Sequence, residues 1–151
     1  MWSDNYKAYL MANIDVKNIS DIETCDKDLQ NLFKNLILGL VDFKSAKPTF
    51  TQTKNTALAE LVERDKTDLE TILTKASDIA IKKNNDYGSK NILKFGIIGI
   101  IVRIGDKISR YQNLVNNKTA QLVQDEKIED TLLDIVNYAT YGEMLSDGIW
   151  E

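Results

Sequence analysis

In the stretch "RIGDKISR", residues 103–110, Arg103, Asp106, Lys107 and Arg110 recur at the i, i+3, i+4 and i+7 positions of a helix. Three cations around one acid suit a phosphate chain. An arginine fork makes paired hydrogen bonds to phosphate oxygens, a lysine acts as a point charge, and Asp106 can join a metal shell. The same spacing also suits salt bridges along one helix. Farther along, Asp130 and Asp134 stand one helical turn apart, with Glu126 a turn earlier and Glu129 at the edge. Carboxylates so placed repel one another unless a divalent cation bridges them. The alternative is a solvated acidic face near a helix start, where the dipole favours acids. A third cluster is "KKNNDYG", residues 82–88. Its Tyr87 can stack on a base, and Asn84 or Asn85 can bond to a base or sugar; lysines, asparagines and a glycine are also an ordinary helix C-terminal stop.

What the chain lacks narrows the chemistry. It has no histidine and a single cysteine, Cys25. Ser–His and Cys–His catalysis are excluded, as are metal sites built on imidazole or on several thiolates. Any metal must be held by oxygen, which points to Mg²⁺ or Mn²⁺ ahead of Ca²⁺. Cys25 reads as a structural thiol, and one cysteine allows no internal disulfide. The net charge of −4 argues against sequence-independent binding to nucleic acid. That charge is unevenly spread: residues 1–81 carry a net −3, residues 82–118 a net +6 and residues 119–151 a net −7. A basic centre followed by an acidic end suits a ligand that is itself an anion plus a metal. No apolar run approaches the ~20 residues of a membrane span, and the opening "MWSDNYKAYL" lacks a signal-peptide pattern. The expectation is a cytoplasmic protein without membrane contact.

The elements that must position these side chains read as helices. One proline and seven glycines in 151 residues leave few breakers, and we read residues 1–151 as a single all-α domain, a bundle of four to five helices. "YKAYLMAN" suits a short helix. Residues 26–45 place Leu29, Leu32, Phe33, Leu36, Ile37 and Leu40 at helical spacing, and Pro48 is expected to end that element. Residues 52–64 form a further short helix. "TDLE" predicts Thr67 as the N-cap of a helix running to about residue 83. In the run after residue 91, Ile97, Ile101, Ile104, Ile108 and Val115 share one helical face, and the charged quartet shares another. Gly96 and Gly99 are expected to admit a neighbouring helix. The last long helix covers about 125–145, with Ile128, Leu132, Ile135, Val136 and Ala139 inward and Glu126, Asp130, Asp134, Asn137 and Tyr141 on a narrow second face.

Together, "KKNNDYGS", "VRIGDKISRYQNL" and "EKIEDTLLDIVNYA" resemble the phage and bacterial family called nucleotide modification associated domain, first type. That family is related to the all-α nucleoside triphosphate pyrophosphohydrolases, the MazG and dimeric dUTPase group. The resemblance covers residues 68–141, a nucleotide- and metal-binding core preceded by an N-terminal helical extension over 1–66. It implies a helical bundle that binds Mg²⁺ through acids on two helices and cleaves a (d)NTP to the monophosphate and pyrophosphate. It also implies residue roles: Asp106, Asp130 and Asp134 on the metal, with Arg103, Lys107, Arg110, Asn84, Asp86 and Tyr87 on the substrate. Asn85 stands where histidine is common in that family. The family's first metal motif is usually two glutamates spaced ExxE on one helix; the corresponding helix here offers only Asp106, unless Glu60 and Glu63 in "ELVE", which precede the "KNNDYG" block, play that part. The relatives commonly form homo-oligomers.

The leading reading is therefore a Mg²⁺-dependent (d)NTP pyrophosphohydrolase of phage nucleotide metabolism or DNA modification. Without histidine a carboxylate must serve as general base, and Glu126 or Glu129 is the candidate. A second reading is a protein that sequesters a nucleotide without cleaving it. A third is a helical adaptor that docks a partner through exposed aromatics, Trp2, Tyr6, Tyr141 and Trp150 among them.

Overall fold

The computed structural model describes residues 2–16, 22–38, 46–88, 90, 94–116 and 121–149, with the backbone alone for 22–24 and 121–125. Six α-helices run through them: α1 (Trp2–Met11), α2 (Ile22–Leu38), α3 (Lys47–Asp65), α4 (Leu69–Tyr87), α5 (Gly96–Asn116) and α6 (Gln121–Ser146). No strand occurs among the described residues, and none of their helices is long and apolar enough to cross a membrane. The all-α expectation holds among the described residues, where these six helices stand against the four or five expected. The short helix expected in "YKAYLMAN" is α1, a full element: Trp2, Tyr6 and Leu10 recur one turn apart and are buried.

Several boundaries differ from the sequence reading for local reasons. Pro48 opens α3 rather than closing its predecessor, because a first-turn proline loses no hydrogen bond. The predicted stretch to residue 45 falls partly outside the described residues. Asp68, not Thr67, caps α4: its extended backbone lets its carboxylate accept from the Thr71 N–H at 2.8 Å. At its other end α4 continues four residues beyond the expected stop, to Tyr87. It ends where Gly88 takes φ +79° and donates its N–H to the Asn84 carbonyl at 2.7 Å. The longer helix sets Lys83 and Tyr87 four residues apart on one face.

α6 sits at the centre. It packs most extensively on α3 and α5, and also on α1 and α4. From Thr131 to Met144 every side chain is buried except Asp134 and Tyr138, which are half-buried. On α5, Ile101, Ile104 and Ile108 are buried and Ile97 and Val115 pack against the core, as their spacing predicts. Close approach of neighbouring helices falls to other glycines than expected. A Cβ on Gly105 would run into the ring of Phe33 on α2, and one on Gly142 into the ring of Phe50 on α3. A Cβ on Gly96 meets nothing, and one on Gly99 meets only Phe95 of its own turn.

A helix enclosed on all sides must satisfy its polar groups inside the protein. Glu143 of α6 is buried against Lys54 of α3, whose ammonium lies 2.9 Å from its Oε1. Lys54 also donates to the carbonyl oxygens of Tyr9 and Ala12, each at 2.9 Å, so all three ammonium protons are used. The Tyr9 carbonyl lies in the last turn of α1, where it also accepts from the Ala12 N–H at 3.2 Å, and Ala12 follows the helix end. The Thr51 hydroxyl donates to Glu143 Oε2 at 2.7 Å. Burial draws the Lys54 pKa below its ordinary value, against the opposing pull of Glu143.

The aromatics offered as an adaptor surface are interior. Trp2 stacks on Tyr6 with centroids 5.1 Å apart, and Tyr141 packs against both. All three are buried, and Trp150 lies outside the described residues.

Two outcomes follow from this packing. Lys54→Met, which strands the Glu143 carboxylate, is expected to cost about 3–5 kcal/mol in denaturant unfolding; Lys54→Met with Glu143→Leu is expected to recover most of it. Cys25 is fully buried on α2. Burial pushes its thiol from the ordinary 9.0 up to about 12, against a smaller lowering from the Tyr111 hydroxyl beside it. A disulfide reagent at about pH 8 should therefore leave the native thiol untouched and label it in denaturant. The raised pKa is linked to stability that is intact below 9.0 and declines as pH climbs toward about 12.

Candidate functional site

The half-buried pair on the otherwise enclosed stretch 131–144 of α6 marks the site. Asp134 and Tyr138, one turn apart, face a cavity of about 380 Å³ between α4, α5 and α6. Lys83 and Tyr87 of α4, Arg103 of α5, and Asn137 and Tyr141 of α6 complete its lining. Asp134 carries a lysine on each oxygen. Lys83 donates to Oδ1 at 2.9 Å, and the Lys107 ammonium lies 3.1 Å from Oδ2. Three helices are thus joined at one carboxylate. Burial lowers the Lys83 pKa, but the hydrogen bond and charge of Asp134 outweigh it, and the net shift is upward. Lys83 stays cationic at neutral pH.

The rest of the wall is aromatic. The Arg103 guanidinium lies over the Tyr138 ring, 5.9 Å from its centroid. Tyr138 meets Tyr141 edge-on at 5.7 Å and 81°. Tyr87 is 69% exposed at the mouth, free to close on a flat ligand. The floor is Asn137, which accepts a hydrogen bond from the Tyr6 hydroxyl and donates to the Ala76 carbonyl at 3.2 Å. The N-terminal helix thereby fixes the side chain beneath the cavity. Burial raises the Tyr6 and Tyr141 pKa values well above the ordinary range, keeping both phenols neutral.

The candidates from the sequence divide. Tyr87, Arg103 and Asp134 line the cavity, and Lys107 reaches it through Asp134. Asn84 lies half-buried on α4, its side-chain oxygen without a partner among the described residues. Asp86, Asp106, Arg110, Glu126 and Asp130 are exposed and outside the lining. Glu129 pairs with Lys75 of α4. Glu60 is buried, 3.6 Å from Arg64, and Glu63 pairs at the surface with Lys66, so "ELVE" supplies no matched pair of ligands. Lys83, Asn137, Tyr138 and Tyr141 complete the lining without having been named as site residues. Asn137 and Tyr141 were visible on the acidic face of α6; Tyr138 carried no signal beyond its place four residues after Asp134.

The expected Mg²⁺ or Mn²⁺ is corrected here. Among the described residues no three histidine, cysteine, aspartate or glutamate side chains come together to hold a metal ion. Both Asp134 oxygens are engaged by ammonium groups, and Asp106 and Asp130 point to solvent. The donor set does not fit the cation.

Residues 83–144 match the family model described as Nucleotide modification associated domain 1, so a domain of this type is present over that span. It begins at Lys83 and takes in every lining residue of the cavity. No curated protein and no solved structure matched the chain.

Tyr6→Phe, which leaves the Asn137 side-chain oxygen unsatisfied beneath the cavity, is expected to cost about 1–3 kcal/mol in denaturant unfolding. Loss below about half a kcal/mol would show that the contact contributes little.

Proposed function

We propose that this protein binds a nucleotide in the cavity between α4, α5 and α6. The base lies against Tyr87 and Tyr138, and the phosphate meets Lys83, Lys107 and Arg103. One observation carries this reading: a carboxylate holds two lysines from different helices at the wall of a cavity whose other walls are tyrosines. Flat aromatic surface beside fixed cations is complementary to a nucleotide and to few other metabolites. The description of the matching domain, associated with nucleotide modification, supports the same ligand class.

The geometry favours a protein that holds a nucleotide without cleaving it; cleavage of a (d)NTP to (d)NMP and pyrophosphate, and kinship with the MazG and dimeric dUTPase group, rest on the three sequence blocks alone and form the second reading. A homo-oligomer belongs to the proposal as well, supported by the exposed apolar side chains of Ile98 and Val102 on α5 and of Phe95 just before it.

Calorimetry with the common nucleotides tests the proposal. At least one should bind with a Kd of about 100 μM or tighter, and Lys83→Ala or Arg103→Ala should weaken it by about ten-fold or more. Recovery of intact nucleotide identifies a binder, and release of pyrophosphate identifies an enzyme. Absence of binding across the panel would refute the proposal.

A further inference from the structure

We infer that the ligand carries a single phosphate, and that Asp134 is the residue that sets this limit. The inference rests on the nucleotide reading above and deepens it. Two cations line the cavity, Lys83 and Arg103, with one anion, Asp134, and a third cation, Lys107, stands on the far oxygen of that anion. The surplus is two positive charges, which matches a phosphate monoester at neutral pH, about −1.5 to −2. No carboxylate cluster among the described residues is arranged to bring a metal that would neutralise further phosphates.

Geometry sharpens the charge count. Asp134 lies 2.9 Å from one ammonium and 3.1 Å from the other, so it occupies the place between them. One phosphate can meet Lys83, Lys107 and Arg103 from the cavity side, because each ammonium keeps donors that Asp134 does not use. A second or third phosphate drawn to the same lysines is brought against the Asp134 carboxylate, and like charges at that range repel strongly. Asp134 thus holds the lysines in position for one phosphate and rejects longer chains. The ligand class is a nucleoside 5′-monophosphate.

The test is calorimetry in the presence of chelator, comparing each nucleoside 5′-monophosphate with its own triphosphate, with the nucleoside and with inorganic phosphate. The best monophosphate should bind about ten-fold or more tightly than the triphosphate, the bare nucleoside or phosphate. Asp134→Asn adds a unit of positive charge and should narrow the gap to the triphosphate to about three-fold or less. Lys107→Gln removes a unit and should widen it, which keeps the inference open to refutation if Asp134→Asn fails to fold. A triphosphate that binds wild-type protein as tightly as the monophosphate overturns the inference, and so does a folded Asp134→Asn or Lys107→Gln protein with unchanged preference. Binding without phosphate preference leaves the nucleotide reading standing and removes only this one, whereas no binding of any nucleotide removes both.

Discussion

Asp134 stands on the central helix with one lysine on each carboxylate oxygen, Lys83 from α4 and Lys107 from α5. This shared carboxylate fixes the spacing of two cations that would otherwise repel, and it ties three helices together at the rim of the cavity. The placing of Tyr87 and Arg103 follows from it, because each lies four residues from one of those lysines on the same helix. A lysine clamped in this way gives up its conformational freedom during folding, so a ligand that meets it later does not bear that cost.

The same device recurs along α6 and its C-terminal edge. Glu129 pairs with Lys75, Glu143 with Lys54, and Asp147 with Lys47 at 2.6 Å. Lysines from α3, α4 and α5 therefore converge on acids carried by one helix and the residue just beyond it. The pairs differ in setting. Lys54 and Glu143 are fully enclosed, where a lone charge would be untenable. Lys47 and Asp147 are about one-third exposed, where water screens them and the contribution to stability is small. The Asp134 group opens on the cavity between α4, α5 and α6, and it alone among these pairs has two lysines to one acid. That makes the site a place where the architecture's ion pairing is left with positive charge to spare.

Much of the fold was legible because the apolar period in the chain is strong. The buried face of α5 and the inward face of α6 follow directly from residues three and four apart. α1 showed in the sequence only as a short helix over "YKAYLMAN"; it begins earlier, at Trp2, and its ten residues bury Trp2, Tyr6 and Leu10. The N-cap shifted by one because Thr67 and Asp68 can both cap, and only backbone geometry decides between them. At the site, Arg103, Lys107, Asp134 and Tyr87 were found from residue type and spacing. Their chemistry was misjudged for one reason. The sequence shows a basic segment followed by an acidic one, but not which cation meets which acid. Asp130 and Asp134 are alike in the linear chain, yet one is exposed and the other lies between two lysines.

The central claim is that the Asp134 carboxylate belongs to Lys83 and Lys107. Titration with Mn²⁺, followed residue by residue through NMR line broadening, tests it most directly. The account predicts no selective broadening around Asp134, with its neighbours affected no more than exposed acids elsewhere. Selective broadening centred on Asp134, saturating at one equivalent of ion, would contradict it.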